Sequence, residues 1–190
     1  MKTKFKFSNK ILSLVLSIVM VLGMLPMNVL TARAAEAAAD LTVTIDTGAS
    51  VTLKDTDSDG YYEIGTADEL YAFAAAVNGG NYSANAKLTA DLSLGGQSRP
   101  WTPIASSDVF AKAYSGTFDG QGHTISSLYF NNTEAYNAGL FGYVKGGTIR
   151  NVTVADSYVA AFWSGAIAGR FFGDGRIEGC GNLNTTVCRW

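Results

Sequence analysis

Tyr114-Ser115-Gly116-Thr117-Phe118-Asp119-Gly120, then Gly139-Leu140-Phe141-Gly142, then Gly165-Ala166-Ile167-Ala168-Gly169 is the run whose recurrence decides the fold. Each glycine-framed apolar residue precedes an Ile-x-x-apolar unit: Ile125 with Leu128, Ile149 with Val152, Ile177 with Cys180. The Ile steps are 24 and 28 residues, and the Phe118, Leu140 and Ile167 steps are 22 and 27. Such periods are those of one turn in a stacked solenoid.

Superposing the three Ile units predicts inward columns. Ile125, Ile149 and Ile177 form one; Leu128, Val152 and Cys180 the next; Phe130, Val154 and Asn182 a third. Neighbouring turns one strand spacing apart, about 4.8 Å, would stack each column as a strip of core. Ser127, Asn151 and Gly179 fall where the chain must bend, and such residues tolerate corner conformations. Ser126, Arg150 and Glu178 then form an outward column in which Arg150 and Glu178 can pair. Gly120, Gly142 and Gly169 mark turns or close backbone approach.

Upstream the pattern changes. Leu41, Val43, Ile45, Val51 and Leu53 alternate as a short hairpin turned at Thr47-Gly48-Ala49. Thr66-Ala67-Asp68-Glu69 has the spacing of a capping box, and Leu70, Phe73, Ala74 and Val77 follow at helical intervals until Gly79-Gly80 stops them. That helix is expected to cover the first turn of the solenoid, whose strand edges would otherwise be bare. Leu88, Ala90, Leu92 and Leu94 return to a period of two.

The N-terminus reads as an export signal. Lys2, Lys4, Lys6 and Lys10 precede an apolar run from Ile11 to Leu25, and Ala32-Arg33-Ala34 is a small-x-small cleavage site. The apolar run is too short for the roughly 20 residues of a membrane span, so no transmembrane anchor is expected after cleavage. The lysine-bearing start resembles those of Gram-positive secreted proteins. Cleavage removes five of the 14 basic residues and none of the 16 acidic ones, leaving nine against sixteen, a net charge of −7. That balance excludes nucleic acid as a partner, since phosphate binding depends on clustered Lys and Arg. Two cysteines, Cys180 and Cys188, are too few for a disulfide framework.

The glycine motifs, with Tyr62-Glu63-Ile64, Leu88-Thr89-Ala90-Asp91-Leu92 and Trp101-Thr102-Pro103-Ile104 ahead of them, resemble the GLUG-repeat proteins of bacterial cell surfaces. The resemblance covers roughly residues 61–187. It implies a mainly β chain built as a right-handed parallel β-helix with one N-terminal capping helix, in secreted or surface proteins with adhesion-like roles. It also implies host or cell-wall glycans or proteins as partners. Ala168 stands where the central motif has Phe141. The expected division is a signal peptide at 1–34, leader and hairpin at 35–54, an acidic loop at 55–65, helix and first strands at 66–113, and GLUG-type turns at 114–190, truncated at the last turn.

Three constellations carry chemistry. Asp55, Asp57, Asp59 and Gly60 match the start of a calcium loop, with the Tyr61 carbonyl and Glu63 at the seventh and ninth places. Thr66 replaces the bidentate glutamate at the twelfth, so a solvated acidic turn competes with Ca2+ as the reading. His123, the single histidine, lacks a His-Glu-x-x-His partner and reads as a turn residue. Asp119, Arg150, Arg176 and Glu178 are scattered, with no catalytic spacing, and fold analogy does not supply a site. Trp101, Trp163, Tyr143, Tyr158, Phe171 and Phe172 offer either a sugar platform or corner packing. The functional expectation is an exported, noncatalytic binding or scaffold module. The alternatives are the leading part of a larger secreted enzyme and a carbohydrate-binding module.

Overall fold

The computed structural model describes residues 36–189; the signal-peptide reading of 1–34 lies outside them. Alternation at the start gives the expected hairpin, Leu41–Thr44 (β1) antiparallel to Ser50–Leu53 (β2), with Gly48 at φ +81° in the turn. Tyr62–Ile64 (β3) leads into the helix Ala67–Asn78 (α1). Its capping box is complete: the Thr66 hydroxyl accepts from the Glu69 amide, and Glu69 accepts from the Thr66 amide. Leu70, Phe73, Ala74 and Val77 are buried as their spacing requires. Ala86–Leu88 (β4) and Leu92–Ser93 (β5) follow.

Three similar passes of chain follow among the described residues. The first contains Thr117–Asp119 (β6), Thr124–Ser126 (β7), Tyr129–Asn131 (β8), Asn137–Ala138 (β9) and Phe141–Lys145 (β10). The second contains Thr148–Arg150 (β11), Thr153–Ala155 (β12), Tyr158–Ala161 (β13), Trp163–Ser164 (β14) and Ala168–Phe172 (β15). Arg176–Glu178 (β16), Gly181–Leu183 (β17) and Thr186–Arg189 (β18) form the third. Corresponding strands pair in parallel, giving sheets ordered β16-β11-β6-β4-β3, β17-β12-β7-β5 and β18-β13-β8, with β10-β15 and β14-β9 beside them. The described chain is thus mainly β, with parallel sheets and one α-helix.

The register corrects the expected columns. Ile149 and Ile177 do stack, but the residue beneath Ile149 is Phe118, while Ile125 pairs with Val154 and Leu92 in the next sheet. Leu128 likewise parts from Val152, and Phe130 stacks on Val159 rather than Val154. The cause is a longer first corner. Phe118 to Ile125 spans seven residues, whereas Ile149 to Val154 and Ile177 to Asn182 span five. The two corners of each pass carry the same local pattern of an apolar residue followed by a turn, so the 24-residue step superposed one corner on the other. The observed steps are 31 from Phe118 to Ile149 and 28 from Ile149 to Ile177.

Both corners turn through left-handed backbone. Gln121, Asn151 and Gly179 have φ of 52°, 53° and 61° at the first, and Ser127, Asp156 and Asn184 have 56°, 46° and 49° at the second. Polar side chains with short reach tolerate this region better than others. They also pair between passes, as Asn184 donates to Asp156 at 2.6 Å and Asn151 to Asp119 at 3.1 Å. Gly120, Gly142 and Gly169 have no positive φ; they serve close approach. A Cβ at Gly169 would stand 2.4 Å from the Ala138 nitrogen.

Phe118, Phe141, Ile149, Val154 and Val159 are fully buried between the sheets. The helix covers the other end of this core, with Phe73 6.0 Å from Phe118. Trp101 is also buried, 5.0 Å from Tyr71, and its indole donates to the Gly139 carbonyl at 3.1 Å. Ile149→Ala removes a fully enclosed side chain and is expected to cost roughly 2–5 kcal/mol. Ile177→Ala, 44% exposed in the same column, should cost about 1 kcal/mol or less. Denaturant titration of both variants checks the ordering; equal losses would contradict the observed stack.

Candidate functional site

The acidic loop joins β2 to β3 and is wound around its first carboxylate. Asp55 accepts backbone N–H groups from Ala38 at 2.7 Å, Gly60 at 2.8 Å and Asp59 at 3.1 Å. Asp59 accepts from the Tyr61 amide at 3.0 Å, and Ser58 and Gly60 take φ of 60° and 85° to close the turn. Desolvation opposes ionisation of Asp55, but these amides outweigh it and hold the carboxyl below its ordinary value. Glu63 accepts from the Thr56 amide at 2.9 Å, which folds the loop back on β3.

Asp55, Asp57 and Glu63 can bring oxygens within 4.8 Å of one another, the spacing a cation requires. Their neighbour is Lys87 on β4, opposite Glu63 in the parallel register. Its ammonium lies 2.5 Å from Asp57, 2.7 Å from Asp59 and 3.5 Å from Glu63. Burial works against that charge, yet the bonds to Asp57 and Asp59 prevail and raise the lysine above its usual value. The loop therefore carries a cation of its own, and calcium at Asp55, Asp57, Asp59, Tyr61 and Glu63 must displace it. Sequence spacing found the carboxylates; it could not find a lysine about thirty residues away.

Lys87 also belongs to a longer row. The facing residues across the five-stranded sheet are Glu63, Lys87, Asp119, Arg150 and Glu178, one per strand and alternating in sign. Asp119, Arg150 and Glu178, scattered in the sequence, thus share one sheet face, where Asp119 and Arg150 form an ion pair. Arg150 donates to Asp119 at 2.7 Å rather than to Glu178, and Asp119, with a side chain only 5% exposed, also accepts from the Gln121 amide at 2.9 Å. Burial raises the Asp119 pKa, but Gln121, Asn151 and Arg150 together pull it below its ordinary value. His123 lies 3.1 Å from Asp91 at the first corner.

Of the two readings of the aromatic set, corner and core packing prevails, and the rings do not assemble as one surface. Tyr143 is buried beneath Arg170, whose guanidinium lies 5.1 Å from its ring and 4.7 Å from that of Trp163. Tyr158 stacks on Tyr129 at 5.4 Å, Trp101 and Phe171 pack into the core, and Phe172 alone of the set is an exposed large hydrophobe. A different group is exposed: Tyr136 at 55% and Phe162 at 41%, 5.8 Å apart and flanked by Trp163. They line a cleft of about 310 Å³ with Thr133 and Glu134. Adjacent-pass pairing of Asn137 with Trp163 brings these rings together, a contact that no local motif announces. Cys180 and Cys188 are both free thiols, and burial pushes the Cys180 thiol up.

Lys87→Gln is expected to lose about 1 kcal/mol or less, because Asp57 and Asp59 are 56% and 44% exposed, and to regain part of it in about 1 mM calcium. Wild-type protein should melt at the same temperature with or without the ion; an equal calcium shift in both proteins would show that calcium displaces the ammonium. Because the Asp119 carboxyl is depressed when folded, its stabilisation is complete above the ordinary value of 3.8 and is lost as pH falls through the lower folded value. Asp119→Asn should accordingly be less stable at pH 7 and show a flatter acid limb in melting temperature against pH.

Comparison with known proteins adds limited likeness. The chain is 31% identical over 142 residues to halomucin of Haloquadratum walsbyi, an alignment covering 65% of this chain and 2% of that protein. It is 31% identical over 88 residues to a protein of Evansella cellulosilytica named as a Gly-rich membrane protein, covering 46% of this chain and 10% of the other. The chain thus spans a small fraction of the length of these relatives. No family model matches, and no solved structure matches.

Proposed function

We propose that this chain is an exported, noncatalytic module wound as a right-handed parallel β-helix of GLUG-repeat type, acting as an adhesive or scaffold segment of a bacterial secreted or surface protein. The observation that carries the reading is the parallel register from β6 through β11 to β16, repeated in the two neighbouring sheets at steps of 28 to 31 residues. Right-handedness follows the preference of parallel crossovers. On the sheet face Lys87 is held by Glu63 and Arg150 by Asp119 in ion pairs between neighbouring strands, which is the use a scaffold makes of such charges. A lysine-led apolar start ending at Ala32-Arg33-Ala34 supports export. The names of the two relatives, halomucin and a membrane protein, fit a place at the cell boundary. No helix among the described residues is long and apolar enough to cross a membrane.

A second reading, contact with glycans, is favoured by the exposed Tyr136 and Phe162 beside Glu134. Flat rings stack on sugar faces and an adjacent carboxylate accepts from hydroxyls. It is compatible with an adhesive role and selects the surface that performs it.

Protease shaving of intact native cells, with mass spectrometry of the released and secreted fractions, is expected to find peptides from 36–189 outside the cell. Recovery solely from the cytosol would overturn the assignment. On a glycan array the wild-type chain is expected to be retained by a cell-wall or host glycan, with retention falling at least about tenfold in Phe162→Ala. Unchanged retention in that variant would remove the aromatic cleft as the contact.

A further inference from the structure

Lys87, Arg99 and Arg150 each lie against carboxylates, those of Asp57 and Asp59, of Asp46 and Asp68, and of Asp119. Lys145 and Arg170 are seated on rings instead. The Lys145 ammonium lies 3.7 Å from the centre of the Phe110 ring. The Arg170 guanidinium lies 4.6 Å from Phe172, 4.7 Å from Trp163 and 5.1 Å from Tyr143. No ion pair or side-chain hydrogen bond reaches either cation among the described residues. Cation–π contact fixes where a charge sits and leaves its N–H donors unspent.

Alternation along β10 and β15 puts both cations on one face. Val144 and Phe171, partners in register, join the core, so Tyr143, Lys145, Arg170 and Phe172 lie on the other side of the sheet. Tyr143 pairs with Arg170 and Lys145 with Phe172. The two cations are therefore diagonal neighbours, two residues along and one strand across, roughly 8 Å apart at Cα. Phe110, from the short 3-10 turn Phe110–Lys112, packs 6.2 Å from Tyr143 and keeps 54% of its surface exposed. Beside Lys145 opens a cleft of about 500 Å³, lined by Phe110 and by Tyr82, Ser83 and Ser115.

We infer that this face binds an acidic glycan, with uronate carboxylates received by Lys145 and Arg170 and a sugar ring lying against Phe110 at the mouth of the cleft. A guanidinium fork takes a carboxylate through two parallel N–H bonds. The exposed Phe110 ring offers a flat face to a sugar, and the three hydroxyls of the cleft match a sugar's own. A ring-free polyphosphate would leave Phe110 unused, and nucleic acid calls for more clustered bases than these two on an acidic chain. The inference rests on the adhesive reading proposed above and names its ligand class. It also separates two surfaces: the Tyr136 and Phe162 cleft carries Glu134, which repels a carboxylate, so neutral sugars belong there and acidic ones on the β10 and β15 face.

The test is isothermal titration calorimetry of the full chain at about 50 mM salt with hexamers of galacturonate, mannuronate and hyaluronan, and with the methyl ester of each. At least one acid hexamer is expected to bind, and its affinity to fall at least about tenfold on esterification and about fivefold or more in Lys145→Gln and in Arg170→Gln. Phe162→Ala should leave it unchanged. Circular dichroism checks folding, and the exposed Lys145→Gln decides the matter if Arg170→Gln does not fold. No binding by any acid hexamer, equal binding of acids and esters, or an affinity unmoved by Lys145→Gln would overturn the inference. Retention of neutral glycans alone on the array would do the same while leaving the adhesive reading intact, whereas recovery of the chain solely from the cytosol would remove that reading whatever the calorimetry gives.

Discussion

The register between Phe118, Ile149 and Ile177 is the constraint on which the remaining structure depends. Each of these residues is the inward member of a three-residue strand, far too short to be stable alone. Stacked in parallel, they share one column, and the backbone groups of β6 and β11 are satisfied by the strands on either side. Burying Phe118 and Ile149 completely fixes that column. A slip of one residue would turn all the inward side chains outward. Asp119, Arg150 and Glu178 are held to the opposite face by the same alternation, so the charge row is a consequence of the core.

Local chemistry was legible in the sequence wherever the interacting residues were close along the chain. The Thr66 and Glu69 capping box, the apolar stripe of α1 and the hairpin around Gly48 all have the geometry their spacing implied. Left-handed backbone at Ser127, Asn151 and Gly179 was equally readable. The pairing of Ile125 was not, because Gln121 and Gly122 lengthen one corner by two residues while leaving both corners with the same short pattern. Nothing within a single pass distinguishes them; only the backbone of the next pass does.

The candidate site divides along the same line. Asp55, Asp57, Asp59 and Glu63 were evident from alternate spacing, whereas Lys87 reaches them through the β3 and β4 pairing. That one contact gives the set of hard oxygen ligands an ammonium that offsets one of its four negative charges. The aromatic residues behave alike. Tyr143, open in the sequence to corner packing or ligand contact, is buried, while Tyr136 and Phe162 were unremarked and are exposed, since inward or outward placement in the passes depends on register rather than on residue type.

Closure by α1 and the hairpin at one end gives the molecule a direction. A polypeptide threading out of a ribosome or a translocation pore delivers its residues in order, and here the hairpin and α1 precede the passes that they cover. Each later strand then meets a finished edge about thirty residues behind it and can anneal at once, in the manner of a zip drawn from its fixed stop. That separation stays nearly constant as passes are added, so each new pairing closes a loop of similar size.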